Sequence, residues 1–298
     1  QTMFPVLSPD EMAGHGGENN VAKAVRQGLI TGSDGAWDIL SRRVADLPDY
    51  AQRFSAVYDH IDTPDDIAFT DISNAIAVFI AHEWRSDTSA FDAYLRDPTV
   101  GLPLKAEQGM GLFYGDAGCN ACHSGPFQTD HGFHAMGAPQ LGPGKAAAFE
   151  NNAHDTGRMR VTGDTDDAFA FRTPSLRNVM QTGPWGHAGG HSTIEHFLRD
   201  HLDPVAGTAR FAQSSTARLG VRLPPLMGND WREMDDPAAR ESIVQAAMIR
   251  APRGLDAADI AALVSFLRTL DDETALNGRL GIPKSVPSGL AVGGVTAD

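Results

Sequence analysis

The sequence predicts a mainly α-helical protein with long loops. Three observations carry this prediction. Apolar residues recur at helical spacing in several segments that open on capping residues and close on Gly or Pro. No run of residues alternates convincingly between apolar and polar. The stretch from 124 to 170 is dense in Gly, Pro, His and Asp, a composition suited to loops wrapped around a cofactor.

Taken in order, residues 1 to about 20 are rich in Pro, Gly, Asn and Asp and read as loop. Between Asn20 and Phe54, Val21, Val25, Leu29, Trp37, Leu40, Val44 and Leu47 mark helices broken at Gly32 and Gly35. Asp71 or Ser73 is placed to cap an apolar helix running through Phe79 and Trp84. Phe91 to Leu95 forms a short element closed by Asp97-Pro98, and a helix from Leu104 to Tyr114 is interrupted at Gly115. Ser192 or Thr193 caps a helix from Ile194 to His201, stopped by Asp203-Pro204. Asp256 caps a final helix, Ala257 to Leu270, with Ile260, Leu263, Phe266, Leu267 and Leu270 on one side. The tail, 280 to 298, reads as extended.

With 298 residues the chain can bury a substantial core and form one or two domains. Its longest apolar run, Ala75 to Ala81, falls far short of the roughly 20 residues of a membrane-spanning helix. Net charge is -14 and no Lys/Arg stripe exists, which argues against nucleic acid as a partner. An acidic surface is soluble, and it also suits the steering of a basic partner such as a small electron-transfer protein.

The chemistry is concentrated at Cys119-Asn-Ala-Cys122-His123. Two thiols at this spacing can each bond one haem vinyl group, and the adjacent imidazole lies under the iron as proximal ligand. A zinc site would want four nearby Cys/His ligands, and there is no second cysteine pair. Eleven histidines and nine methionines compete for the second axial position, and spacing alone does not choose among them. Covalent haem attachment is made outside the cytoplasm. No signal peptide precedes Thr2-Met-Phe-Pro-Val, so a periplasmic protein with its leader removed is expected.

Several segments together resemble the bacterial dihaem cytochrome c peroxidase and MauG family. They are Leu-Ser-Pro-Asp-Glu-Met at 7 to 12, Ser-Ala-Phe-Asp-Ala-Tyr-Leu at 89 to 95, and Gly-Leu-Phe-Tyr…Gly-Cys-Asn-Ala-Cys-His-Ser-Gly-Pro at 111 to 126. Phe-His-Ala-Met-Gly at 133 to 137, Phe-Arg-Thr-Pro-Ser-Leu-Arg-Asn-Val at 171 to 179 and Gly-Pro-Trp-Gly-His-Ala-Gly at 183 to 189 complete the set. The resemblance implies two cytochrome c-like helical domains, each with one haem. Residues 1–100 would be the remainder of the N-terminal, peroxidatic domain. Residues 101–298 would be the C-terminal haem domain with its extended tail.

The resemblance further implies that the haem on Cys119, Cys122 and His123 relays electrons to the peroxidatic haem, where H2O2 is reduced to water. Glu11 matches the glutamate that acts there as general acid and base. Counting from His187, the distal ligand of the relay haem falls on His201, where typical peroxidases have Met and MauG has Tyr, so the expected ligation is bis-His. Arg172 matches a basic position near the haem propionates. Thr182 and Pro184 match positions whose carbonyls hold a Ca2+ ion between the domains, and His187 matches a histidine near that interface. The family's first haem motif lies upstream of the Ser-Pro-Asp-Glu-Met segment, and this chain holds no other cysteine. A second haem is therefore expected on an N-terminal segment or chain absent from these residues. A small electron donor, cytochrome c or cupredoxin, completes the expected partners, and the resemblance leaves room for a homodimer. The alternatives are an electron-transfer cytochrome without catalysis of its own and a MauG-like, protein-modifying haem oxidase.

Overall fold

The computed structural model describes residues 2–142, 153–213, 228–248 and 254–292. The chain divides into two compact units, residues 1–85 with 274–298, and residues 86–273. This division differs from a single break near residue 100. The segment from 86 to 100 belongs to the second unit, because the Phe91 amide donates to the Thr269 carbonyl (3.0 Å) and the Phe91 ring stands edge-on to Phe266 at 5.2 Å. The tail belongs to the first unit.

In the first unit, α1 (Asn20–Arg26), α2 (Ala36–Ala45), α3 (Pro48–Val57) and α4 (Phe69–Glu83) follow a five-residue turn at Pro9–Ala13. Val21, Ala24 and Ala36 form a small core with Leu7, Val25, Ile39 and Leu40 packed on it. The Trp37 ring stacks on Phe69 at 5.6 Å. Helix α4 begins two residues earlier than Asp71. Ala68 is its N-cap, and the buried Asp71 carboxylate at the third position accepts the Ala68 amide (2.9 Å). The acid reaches back from inside the helix, and neither Asp71 nor Ser73 is the cap itself. At the other end of α4 the buried Glu83 carboxylate accepts the amides of Leu280 (2.6 Å) and Gly281 (2.9 Å), which pins the tail.

The second unit contains α5 (Ala90–Arg96), α6 (Leu104–Tyr114), α7 (Met159–Thr162), α8 (Ile194–Leu202), α9 (Pro204–Gln213), α10 (Gly228–Asp235), α11 (Pro237–Ala246) and α12 (Ala257–Arg268). α13 (Glu273–Asn277) leads into the tail. The Asp256 carboxylate accepts the amides of Ala258 (2.7 Å) and Asp259 (2.9 Å), and Thr193 caps α8 through the His196 amide (3.3 Å), as their positions predict. Asp203-Pro204 ends α8, but Pro204 then opens α9, because proline is well suited to a first helical turn. β1 (Phe133–Ala135) and β2 (Ala170–Arg172) pair antiparallel, Phe133 opposite Arg172. Three residues per strand are too few to show as an alternating pattern. The part of the 124 to 170 loops at 143–152, and the end of the tail at 293–298, lie outside the described residues.

The main core joins Phe91, Phe113, Ile194, Ile260, Leu263 and Phe266 with their neighbours, and Cys119 packs against it. Helices α6 and α12 meet backbone to backbone: a Cβ on Gly109 would overlap the Ala262 carbonyl. A second core gathers Phe169, Phe211, Met234 and Ile243.

Candidate haem site

Helix α6 delivers the chain to a turn at Gly118, whose φ of +65° suits glycine, and Cys119–Ala121 form one short 3-10 turn. Both cysteines therefore lie on one turn, with His123 directly after them. The two cysteines form no disulfide. Burial pushes the Cys119 thiol up to about 11, so it is a poor thiolate for zinc or for redox exchange. The His123 ring places Nδ1 3.1 Å from the Gln128 carbonyl. A carbonyl can only accept, so Nδ1–H donates and the Nε2 lone pair is left for a metal.

His201 lies in the last turn of α8 with its ring stacked on Phe197 at 5.1 Å. Burial, then the proximity of His123 and His191, hold it down at about 4. Burial likewise lowers His123, against the pull of the Gln128 carbonyl and Asp130. Both imidazoles are thus neutral in the physiological range, the form in which histidine binds iron. Phe113, Phe197, Leu198 and Leu202 supply an apolar surround next to Cys119. Two thiols on one turn, two neutral imidazoles close enough to feel each other's charge, and apolar walls fit a c-type haem.

The other expected residues are dispersed. Glu11 is exposed in the turn at Pro9–Ala13 and belongs to the first unit. Arg172 is exposed on β2, with Nη1 3.0 Å from Nδ1 of His131. The Thr182 hydroxyl donates to the Val179 carbonyl (3.0 Å), and Pro184 follows it in the same loop. His187 stacks on Phe171 at 3.6 Å and places Nε2 2.8 Å from Asp155. Among the described residues, Cys122, Asp130 and His134 form the one set of three side chains gathered as for a metal ion. Within that set, Asp130 and His134 are 2.8 Å apart.

Two constellations escaped sequence reading. Arg177 forks onto the buried Asp92 carboxylate (2.6 and 2.9 Å) and donates through Nε to the Pro126 carbonyl (2.8 Å), tying α5 to the loop behind His123. Burial works to raise the Asp92 carboxyl, but Arg177 and Ser89 together hold it below its ordinary value. A cleft of about 740 Å3, lined by Phe91, Tyr94, Met110, Tyr114, Gln128 and Arg177 among others, opens beside this pair. Neither cysteine and neither of the two paired histidines lines it. The second constellation is a buried chain of His191, Asp200 and Arg210 under α8. Its only sequence signals were the acid before His201 and a histidine in a Gly-rich loop.

Comparison with known proteins agrees with this chemistry. Residues 1–99 match the family model for di-haem cytochrome c peroxidase. Cytochrome c551 peroxidase of Nitrosomonas europaea is 32% identical over 192 residues, covering 64% of this chain and 53% of that protein. Methylamine utilization protein MauG of Methylorubrum extorquens is 29% identical over 204 residues, covering 67% and 47%. The crystal structure of a MauG-like protein associated with microbial copper homeostasis superposes with a TM-score of 0.55 at 25% identity, covering 84% of this chain and 69% of that one. The chain spans about half the length of the curated relatives it matches.

Proposed function

The chain belongs to the di-haem cytochrome c peroxidase and MauG family, and on that premise we propose that it forms part of a periplasmic c-type haem peroxidase. Cys119 and Cys122 would hold one haem c covalently, and His123 and His201 would supply the imidazoles that bind its iron. When bound, this group supplies a one-electron couple that relays electrons from a small donor protein, cytochrome c or cupredoxin, towards a second, peroxidatic haem. Two protein imidazoles on that iron would leave the relay site closed to peroxide.

The observation that supports this reading most is that the buried His201 ring, stacked on Phe197, feels the charge of His123, which follows the two cysteines directly. Glu11 does the proton work at the peroxidatic centre. Its carboxylate would serve as general acid and base, moving a proton between the two oxygens of H2O2. One peroxide, two electrons and two protons then leave as two waters. Arg172 contributes positive charge towards the propionates, and the carbonyls of Thr182 and Pro184 hold Ca2+.

The peroxidatic haem resides on an N-terminal segment or separate chain outside these residues. Support comes from the C-terminal half of α4, where residues 75–81 are all apolar: Ile76, Val78, Phe79 and Ile80 are exposed there, as is Trp84 at its C-cap. A helical stretch of that kind is normally buried. No described helix is long and apolar enough to cross a membrane.

The test is haem counting by pyridine haemochrome with a mass spectrum of the denatured protein, followed by peroxide-dependent oxidation of reduced cytochrome c. The proposal expects one haem on this chain and turnover only when a second haem-bearing polypeptide is present. One haem, no companion and no turnover under any reconstitution would leave the second reading, an electron-transfer cytochrome, which the enclosed His123–His201 pair also favours. MauG-like oxidation of a partner protein ranks below both, because position 201 is His rather than Tyr.

A further inference from the structure

We infer that His191, through Asp200 and Arg210, is a positioning device that sets the pitch of α8 and so holds His201 on the haem iron. This rests on the proposed ligation by His201.

The His191 side chain is 3% exposed and that of Asp200 is 5% exposed. His191 Nε2 lies 3.0 Å from Asp200 Oδ2. An ionised carboxylate only accepts, so the ring hydrogen is on Nε2 and the tautomer is decided by Asp200. The other carboxylate oxygen, Oδ1, accepts from Arg210 Nε at 2.8 Å. One acid thus joins three pieces of chain: the loop before α8, α8 itself and α9.

Each end is held firmly. The His191 main chain exchanges two hydrogen bonds with Trp185 (2.9 and 3.0 Å), and the Trp185 indole donates to the Val179 carbonyl (2.8 Å). On the α9 side, a Cβ at Gly207 would meet the Asp200 backbone, so the two helices touch at the residue next to His201. The His191 ring also stands edge-on to Phe197 at 5.6 Å, and Phe197 stacks on His201. His201 is therefore constrained twice, through its own backbone at Asp200 and through a ring at Phe197.

A buried acid and its partners carry a desolvation penalty that an apolar pair would avoid. The relay described above gives His191 and Arg210 no task. Holding one imidazole at coordination distance is a task that this geometry performs, because a side chain in a terminal helical turn would otherwise fray with that turn. Among the described residues the buried Nδ1 atom of His191 has no hydrogen-bond partner, a cost that a merely space-filling residue would not carry.

The experiment uses the full haem-loaded chain and reads the ferric spin state by visible absorption and electron paramagnetic resonance, together with carbon monoxide binding to the ferrous form. H191M fills the volume without an N–H donor. It is expected to raise the high-spin, ligand-accessible fraction roughly tenfold, the scale of losing one hydrogen bond to a charged group. H191Q, whose amide can donate to Asp200, is expected to restore the low-spin spectrum. I194V thins the same helix without touching the chain of hydrogen bonds, and it should melt earlier with an unchanged spectrum. If H191M and D200N keep the parent's spin state and remain closed to carbon monoxide, the inference is overturned. H201A separates this from the ligation itself. A parental spectrum in H201A removes the ligation reading and the inference with it. Loss of the low-spin signal in H201A but not in H191M overturns the inference alone.

Discussion

Two arginines in one stretch of six residues behave differently. Arg172 sits exposed against His131, while Arg177 forks onto a carboxylate that is 9% exposed and reaches the loop behind His123. Truncating Arg177 strands the Asp92 charge, so R177A is expected to lower unfolding stability by about 3 kcal/mol in denaturant titration. R172A should cost well under 1 kcal/mol in the same measurement, since exposed contacts of this kind contribute little. R177K should fall near R177A, because an ammonium cannot reproduce the two-pronged contact. Sequence reading singled out Arg172. Which of two neighbouring arginines is buried depends on where Asp92 arrives, and that acid lies 85 residues away.

At the scale of elements, the contact between α6 and α12 depends on a missing side chain. G109A pushes a methyl group into the Ala262 carbonyl, and a destabilisation of about 3 kcal/mol is expected from thermal or chemical melts. G111A, two positions further along α6 and open to space at its Cβ, should be neutral or slightly stabilising. The tail is held by a charge. Burial works to raise the Glu83 carboxyl, but the amides of Leu280, Gly281 and Arg279 hold it below its ordinary 4.5. A lowered acid stabilises the folded form at any pH above that ordinary value, and the contribution disappears as pH falls through the folded-state value. Protection of the Leu280 and Gly281 amides, relative to their intrinsic exchange rates, should therefore fall on acidification below about pH 4.5, and E83Q should show low protection there at neutral pH as well.

For the molecule as a whole, the exposed run on α4 sets the expectation. Phe79 is 40% exposed, so F79D should leave the melting temperature of this chain nearly unchanged. If the peroxidatic segment covers α4, the same substitution should abolish its co-purification and the peroxidase activity together. An unchanged yield of a second haem polypeptide with F79D would count against that face as its seat. Replacing Glu11 by Gln is expected to lower peroxide turnover roughly 100-fold or more, the scale of a lost general acid and base, without changing haem content.

Local rules were enough for much of this protein. The haem motif, the caps at Thr193 and Asp256 and the helix from Ala257 were legible because each is decided by residues a few positions apart. The mainly helical class followed from the same short-range periodicity. Helices α9 to α11, the two short strands and the division that gives residues 86–100 to the second unit were not legible, because they are decided by packing on partners distant in sequence. The same holds for the site. Cys119, Cys122 and His123 mark the proposed haem site by spacing alone. The grouping of His191 and Arg210 around Asp200 arises only when folding brings a loop and two helices onto one buried carboxylate.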